Sequence, residues 1–501
     1  MEDQDAWSVN ASEAVKISIV QPGETSPTTL AQFPPQFTYS IFGDEERIFG
    51  YQGLKIDLNF AAHDLTPNLK FGWDKKFQPV GETEATDLEE TLRPFTIDES
   101  FSSRDQFNKQ VQESQTAKDF KPPGELFQKY TSKGRQFEIW YGELSDPTVK
   151  LLISRIQILI AFFIEGGTLL DLDDQEWSLA RWRVYFVYEI TKPSVSNASP
   201  YSIVGYSTSY RFIPYTPSTM NNGAFINGIH DFSLPPNKPL HPSSIPSRIR
   251  ISQFLILPCH HSHGHGSHLF EAMTKTMLAS STCTEITVED PNEAFDDLRD
   301  YCDYARLSAN GTFSQIRLNI SIDPKLSANR IGVRVPTSHL LDLPLLEKLR
   351  LKNKIAPRQF YRLVEMHLFS KIAPAARHAG SARLTQRGRT SNLDDRAFYY
   401  WRLLVKQRIY KRNKDVLIQL DRAERADKVE QTLGEVAGDY ERLLRGMQKW
   451  KEAEEKSHEV DEEKAGRSGE RRDRGKRKIV EDEDDSDIVM TGAKRARSEA
   501  L

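Results

Sequence analysis

Between Phe254 and Asp290 the pattern of apolar and polar positions changes character three times. Phe254 to Leu257 is a short apolar run of the kind a buried strand makes. Pro258 to Ser267 is a turn rich in His and Gly. Leu269, Phe270, Met273 and Met277 then recur at helical spacing and predict a helix with one face turned inward. Ile286 to Val288 is a second apolar run, and it delivers Glu289 and Asp290 at its end. The order strand, turn, helix, strand predicts a βαβ-like unit. The unpaired amides of its helix N-terminus suit an anion.

The same reading predicts strands at Val15 to Val20 and Leu54 to Phe60, at Gly72 to Phe77 and Phe137 to Tyr141, and at Arg181 to Ile190 and Tyr201 to Phe212. Phe313 to Ile322 also has a strand-like pattern. Asp146-Pro147 is a helix start with Pro at the first helical position, and that helix runs towards Phe163 before Glu165-Gly166-Gly167 ends it. Leu345, Leu346, Leu349, Phe360, Leu363, Val364 and Leu368 predict small C-terminal helices. Residues 374–395 are a basic Ala/Gly/Ser-rich linker, and Phe398 to Trp450 returns to helical periodicity. Residues 451–501 hold 13 Lys/Arg and 16 Asp/Glu, a composition expected to stay disordered. The expected organisation is an N-terminal mixed domain (1–145), an α/β domain (146–325), helices (326–373), a linker (374–395), charged helices (396–450) and a tail (451–501).

Composition adds bounds. The chain has 501 residues, only 38% hydrophobic, with a mean hydropathy of -0.56; part of its length is expected to be unpacked. Three cysteines are too few for a disulfide framework, and a reduced compartment is expected. The longest apolar run, Ile156 to Ile164, is too short to span a bilayer. No membrane or direct nucleic-acid partner is expected. Arg471-Arg472, Lys476-Arg477-Lys478 and Lys494-Arg495 resemble a nuclear-import signal.

The turn carries the most specific chemistry. His263-Gly264-His265-Gly266-Ser267 places two glycines where strand bends into helix, so that backbone amides can approach a ligand closely. It is neither an ATP-type P-loop nor a three-glycine dinucleotide fingerprint. Five histidines, at 260, 261, 263, 265 and 268, invite a metal, but a glycine-punctuated turn is a poor scaffold for fixed ligands, and none is expected. In Asp290-Pro291-Asn292-Glu293, Asp290 reads as the N-cap, Pro291 as the first helical residue and Glu293 as N3. That leaves Glu289 free for chemistry. Glu165 has two readings: an exposed helix-end residue, or a carboxylate poorly solvated beside Phe162, Phe163 and Ile164. By composition, Asp44, Glu45 and Glu46 form a solvated acidic turn.

The words FLILP with G-H-G, ITVEDPNEAFDDLRD and FGDEERIFGYQGLKI resemble the GNAT acetyltransferases, and among them the catalytic subunit of type B histone acetyltransferases. The resemblance covers about residues 6–370, with His261 where the family's phosphate-binding motif commonly has Gln. It implies a GNAT fold with an N-terminal mixed α/β domain and a helical C-terminal part. It implies acetyl transfer from acetyl-CoA to a histone lysine, on the H4 tail (with H3), without a metal. By the same resemblance Glu289 is the general base, with Glu165 and Asp290 in support. The strand Phe254, Leu255, Ile256, the turn His261, Ser262, His263, Gly264, His265, Gly266, Ser267, and Asn292 hold the cofactor. Asp44, Glu45, Glu46 and Tyr210, Arg211, Phe212 contact the substrate tail. A WD-repeat histone-binding subunit is the implied partner, and cytoplasm and nucleus the implied locations. A GNAT enzyme acting on another amine, and a non-catalytic histone-binding scaffold, are the competing readings.

Overall fold

The computed structural model describes residues 6–113, 115–193, 195–196, 198–213, 241–321, 337–377 and 392–470. It divides into two units, Met1–Tyr440 and Glu441–Leu501. In the first unit, β1 (Ser8–Asn10) pairs with β4 (Arg47–Phe49), and β5 (Tyr51–Gln52) with β8 (Lys75–Lys76). A four-stranded sheet in the order β3-β2-β6-β7 is made by β2 (Val15–Gln21), β3 (Thr28–Phe33), β6 (Lys55–Ala61) and β7 (Pro67–Gly72).

The larger sheet has six strands in the order β14-β13-β12-β11-β10-β9. They are β9 (Glu125–Ser132), β10 (Arg135–Glu143), β11 (Trp182–Ile190), β12 (Tyr201–Phe212), β13 (Ser247–Ile256) and β14 (Cys283–Val288). All neighbours are antiparallel except β13 and β14, which run parallel. This sheet therefore starts at Glu125, ahead of the boundary expected after residue 145.

Burial on both faces explains the continuous apolar run of β11. Val184, Phe186 and Tyr188 join a core shared with Ile17, Leu58 and Phe60 of the smaller sheet and with Ile153, Ile156 and Phe162. Those last three lie on helices α1 (Pro147–Ile156) and α2 (Ile158–Phe163). Asp146 caps α1 by accepting from the amides of Thr148 and Val149, with Pro147 at the first position as expected. On the other face, Tyr185 and Val187 meet Leu269, Met273 and Met277 of α3 (His265–Ala279). The helical spacing of those three residues is thus the inward face of α3.

Helix α4 (Glu293–Ala309) follows β14, α5 (Leu343–Lys352) comes later in the chain, and α6 (Pro357–Ser370) holds α4 from behind. In α6, Gln359 Nε2 and Arg362 Nε donate to the buried Asp300 carboxylate at 2.9 and 2.7 Å. The charged C-terminal helices pack here too. Buried Glu365 of α6 accepts from Arg408 Nε of α7 (Leu393–Arg412) at 2.7 Å and from Tyr440 Oη of α8 (Arg422–Glu470) at 3.0 Å. The side-chain pattern around Trp401 therefore belongs to a packed part of the first unit.

One expectation fails. Phe313 to Ile322 contains no strand among its described residues; Phe313–Gln315 is a 3-10 turn after Gly311. The Phe313 ring stacks on His367 at 4.3 Å, so its apolar character serves a point contact and not a ladder. α8 continues to Glu470, past residue 451, where the charged tail was expected to begin. Runs of Glu, Lys and Ala favour helix locally without burial. Residues 471–501, including the import-like motif, lie outside the described residues. Among the described residues, no helix is long and apolar enough to cross a membrane.

Candidate active site

Pairing between β13 and β14 stops at Ile251 and Val288, closed by the Glu289 amide donating to Ile251 O at 2.9 Å. β13 runs on to Ile256, paired only with β12. The β14-facing edge of Phe254, Leu255 and Ile256 therefore has no strand partner among the described residues. Unpaired backbone groups need partners. An extended amide-bearing ligand arm can supply them.

The turn beyond this edge is built for close approach. Ser262 and Gly264 take left-handed conformations, with φ of 60° and 81°. Gly264 is the N-cap of α3, with no side chain capping the first turn, so its amides stay available. A Cβ placed on Gly266 would meet Leu298 only at 3.4 Å, an ordinary contact. Packing within the chain thus does not demand glycine there.

The histidines divide by role. His261 Nε2 lies 2.7 Å from Ile256 O and ties the turn back to the strand. His263 O accepts from Ser132 Oγ at 2.9 Å. His265 is buried against Phe137, and its Nδ1 lies 2.8 Å from Tyr130 Oη, which docks the start of α3 on the β9–β10 hairpin. Burial pushes the imidazoles of His265 and His260 down to about 4. Among the described residues, no group of three or more His, Cys, Asp or Glu is placed to hold a metal ion.

At the mouth of the opening, Glu289 is half-buried. Its Oε2 accepts from Ser252 Oγ at 2.6 Å, and its Oε1 lies 3.4 Å from Arg250 Nη1. Arg250 sits over the rings of Tyr210 and Phe212, at 5.7 and 5.5 Å. Burial, then the Glu289 charge, raises the Tyr210 phenol above its ordinary range. One constellation therefore joins Glu289, Arg250, Ser252, Tyr210 and Phe212. Arg211 is not in it: its guanidinium is buried and donates to Ser247, Ser280 and Thr282.

Asp290 does not cap α4. It is exposed, with φ of 32°, and Asn292 is the N-cap, its Oδ1 accepting from the Phe295 amide at 2.9 Å. Pro291 lies ahead of the cap and not at the first helical position. The helix starts two residues later than the motif suggested, because the left-handed turn at Asp290 first carries the chain away from β14.

The acidic turn also divides. Glu46 Oε1 accepts from the amides of Thr38 and Tyr39 at 2.6 and 3.1 Å, and Oε2 from Ser12 Oγ at 3.2 Å. Asp44 and Glu45 are exposed. Glu165 is exposed too, so the poorly solvated reading of it fails. The two segments are nonetheless linked to β13. Tyr39 Oη accepts from the Gly166 amide at 3.1 Å, and Thr168 O accepts from Gln253 Nε2 at 3.2 Å.

Ser252 and Arg250, which set the position of Glu289, were not among the expected site residues. The signal for them was the alternation of Arg248, Ile249, Arg250, Ile251 and Ser252, which puts Arg250 and Ser252 on one face and the isoleucines in the core.

Comparison with known proteins identifies the family. Residues 7–165 match the family described as histone acetyl transferase HAT1 N-terminus, and residues 325–373 match fungal HAT1, C-terminal. The histone acetyltransferase type B catalytic subunit of Aspergillus fumigatus is 45% identical, over 98% of this chain and 88% of its own. Those of Aspergillus oryzae and Schizosaccharomyces pombe are 46% and 30% identical, each over 89% of this chain and over 87% and 95% of their own. A solved aminoglycoside acetyltransferase from an uncultured soil metagenomic sample covers 35% of this chain and 86% of its own, at 16% identity and a TM-score of 0.19, too low to bear on the fold. With this identity over most of its length and of its relatives' length, the chain belongs to the histone acetyltransferase type B catalytic subunits.

Proposed function

We propose that this histone acetyltransferase moves the acetyl group of acetyl-CoA to a lysine ε-amine on the H4 tail by direct attack, with Glu289 as general base. The observation that carries this reading is the placement of Glu289, held by Ser252 and beside Arg250, where β13 loses its β14 partner. Bound acetyl-CoA supplies an activated acetyl thioester. The residues that fit it are the open edge of Phe254, Leu255 and Ile256 and the first turn of α3 at Gly264 and Gly266, with Asn292 nearby in sequence. A lysine near its ordinary pKa of about 10.4 is protonated at neutral pH and cannot attack. Glu289 removes that proton, directly or through a water; the amine then adds to the carbonyl, the C–S bond breaks, and the amine's second proton goes to the departing thiolate, which leaves as the thiol.

Tyr210 and Phe212 line the approach to Glu289, and exposed Asp44 and Glu45 offer negative charge to a basic tail. The WD-repeat histone-binding partner and the cytoplasmic and nuclear locations belong to the same reading. Incubation with acetyl-CoA and a panel of histone-tail peptides, read by mass spectrometry, tests it. Acetyl-lysine on the H4 peptide is expected; acetylation of small amines alone, or of nothing, overturns it.

A further inference from the structure

Arg211 has a burial that the acetyl-transfer reading does not use. It is 8% exposed, and its guanidinium reaches only hydroxyls: Ser247 and Thr282 from Nη1 at 3.0 and 3.1 Å, and Ser280 from Nη2 at 3.2 Å. A buried cation held only by neutral groups is costly and is normally paired. Arg211 lines an open pocket at the start of β11 and the end of β12, and Arg181 and Arg183 line it as well. Arg183 lies over the Tyr141 ring at 4.8 Å, and Arg181 over the Trp177 ring at 5.8 Å while donating to Arg211 O. None of the three arginines forms an ion pair among the described residues. Glu143 is the one carboxylate on the pocket wall, and it lies 3.4 Å from His241.

An ordinary explanation would have Arg211 serve the carbonyl end of α3, which ends beside it. That end is already served: Lys354 Nζ donates to Leu278 O and Ser280 O at 3.0 and 2.7 Å. Three arginines therefore line one open pocket with one carboxylate, and serine hydroxyls stand beside them. Arginine forks match the oxygens of phosphate-like anions.

We propose that this pocket binds an oxyanion of phosphate or sulfate size, held by Arg211 together with Arg183 and Arg181. Tyr210, which also lines the pocket, connects it to the Glu289 constellation. The anion comes either free from solution or as a phosphoryl group on the substrate tail.

Inorganic phosphate is the probe. Thermal unfolding of the full chain is followed with saturating acetyl-CoA present, so that the α3 turn is occupied, while sodium phosphate replaces sodium chloride at constant ionic strength. The wild type should show a saturable rise in Tm. Arg183→Gln, which leaves the Arg211 cross-link between β12 and β13 intact, should weaken the apparent phosphate affinity about tenfold, as expected for loss of a charge-assisted contact. An unsaturable rise, or the same response in both proteins, overturns the proposal. A serine-phosphorylated basic peptide, compared with its unphosphorylated form, identifies the source. A KM lowered by phosphorylation in the wild type but not in Arg183→Gln assigns the substrate's phosphoryl group; a response to inorganic phosphate alone assigns the free anion. The phosphate titration stands apart from the acetyl-transfer reading, and only the peptide arm rests on it.

Discussion

Two acidic turns flank the site, and they use their carboxylates in opposite ways. Each has one acid in a left-handed backbone conformation, Glu46 with φ of 51° and Asp290 with φ of 32°. In the N-terminal turn the left-handed residue is the one consumed. Glu46 satisfies the amides of Thr38 and Tyr39, and Asp44 and Glu45 are left in solvent. At the end of β14 the left-handed residue is the exposed one, and its predecessor Glu289 is held by Ser252 and Arg250. A carboxylate's role follows from which donors the local backbone brings within reach. A run of acids in the sequence does not say which of them is free.

The strongest break of this comparison is at Glu289. Glu289→Gln should lower kcat by about 10² to 10⁴ at neutral pH, with the acetyl-CoA Kd unchanged. The deficit should shrink as pH rises, because more of the substrate lysine is then neutral. Asp290→Asn should cost far less. Profiles of kcat against pH for both variants check this, and a more damaged Asp290→Asn enzyme would exchange the two roles.

The next effect concerns backbone instead of carboxylates. Gly266→Ala has room in the folded chain, so it should raise stability by about 0.5–1 kcal/mol, as glycine removal from a helix does. If Gly266 is part of the proposed phosphate cradle, the same Cβ crowds it, and acetyl-CoA affinity should fall about tenfold. Calorimetry of binding and of unfolding reads the two opposite signs. A variant that binds acetyl-CoA normally removes Gly266 from the cradle.

Smaller effects separate the three acids of the N-terminal turn. Asp44→Lys with Glu45→Lys should raise KM for a basic peptide several-fold at low salt, with the difference fading as salt is added. Its Tm should be near wild type. Glu46→Gln should do the reverse, costing about 1–2 kcal/mol in urea unfolding through its amide contacts and moving KM little. If Glu46→Gln instead changes KM at full stability, that carboxylate faces the substrate after all.

The smallest effect tests the other turn. Asn292→Ala should cost about 1 kcal/mol by loss of the α4 cap, and Asp290→Ala should cost little in unfolding experiments. Equal losses would mean that both residues support the start of α4.

Much of this molecule was legible without coordinates. The apolar run at Phe254, the glycine turn and the spacing of Leu269, Met273 and Met277 describe β13 and α3 because strand and helix periodicity are local properties of burial. The Asp146-Pro147 helix start was equally local, since an N-cap and its amides lie within three residues. Glu289 was singled out by reading Asp290 as the helix cap, and that premise does not hold, because Asn292 caps α4.

Other features arose only when distant segments met. The cap of α4 moved from Asp290 to Asn292 because the chain must first turn away from β14, and a motif does not encode that path. Glu46 was absorbed by amides eight and seven residues away, and Arg211 by hydroxyls from β13 and the turn after α3. Phe313 looked like strand until His367 met its ring. The sequence by itself determined the elements and the residue types at their ends, because those depend on neighbours within a few positions. Which carboxylate is spent, which strand edge stays open and which arginine is buried among hydroxyls were decided by tertiary structure, because hydrogen-bond partners and desolvation come from segments far apart in the chain.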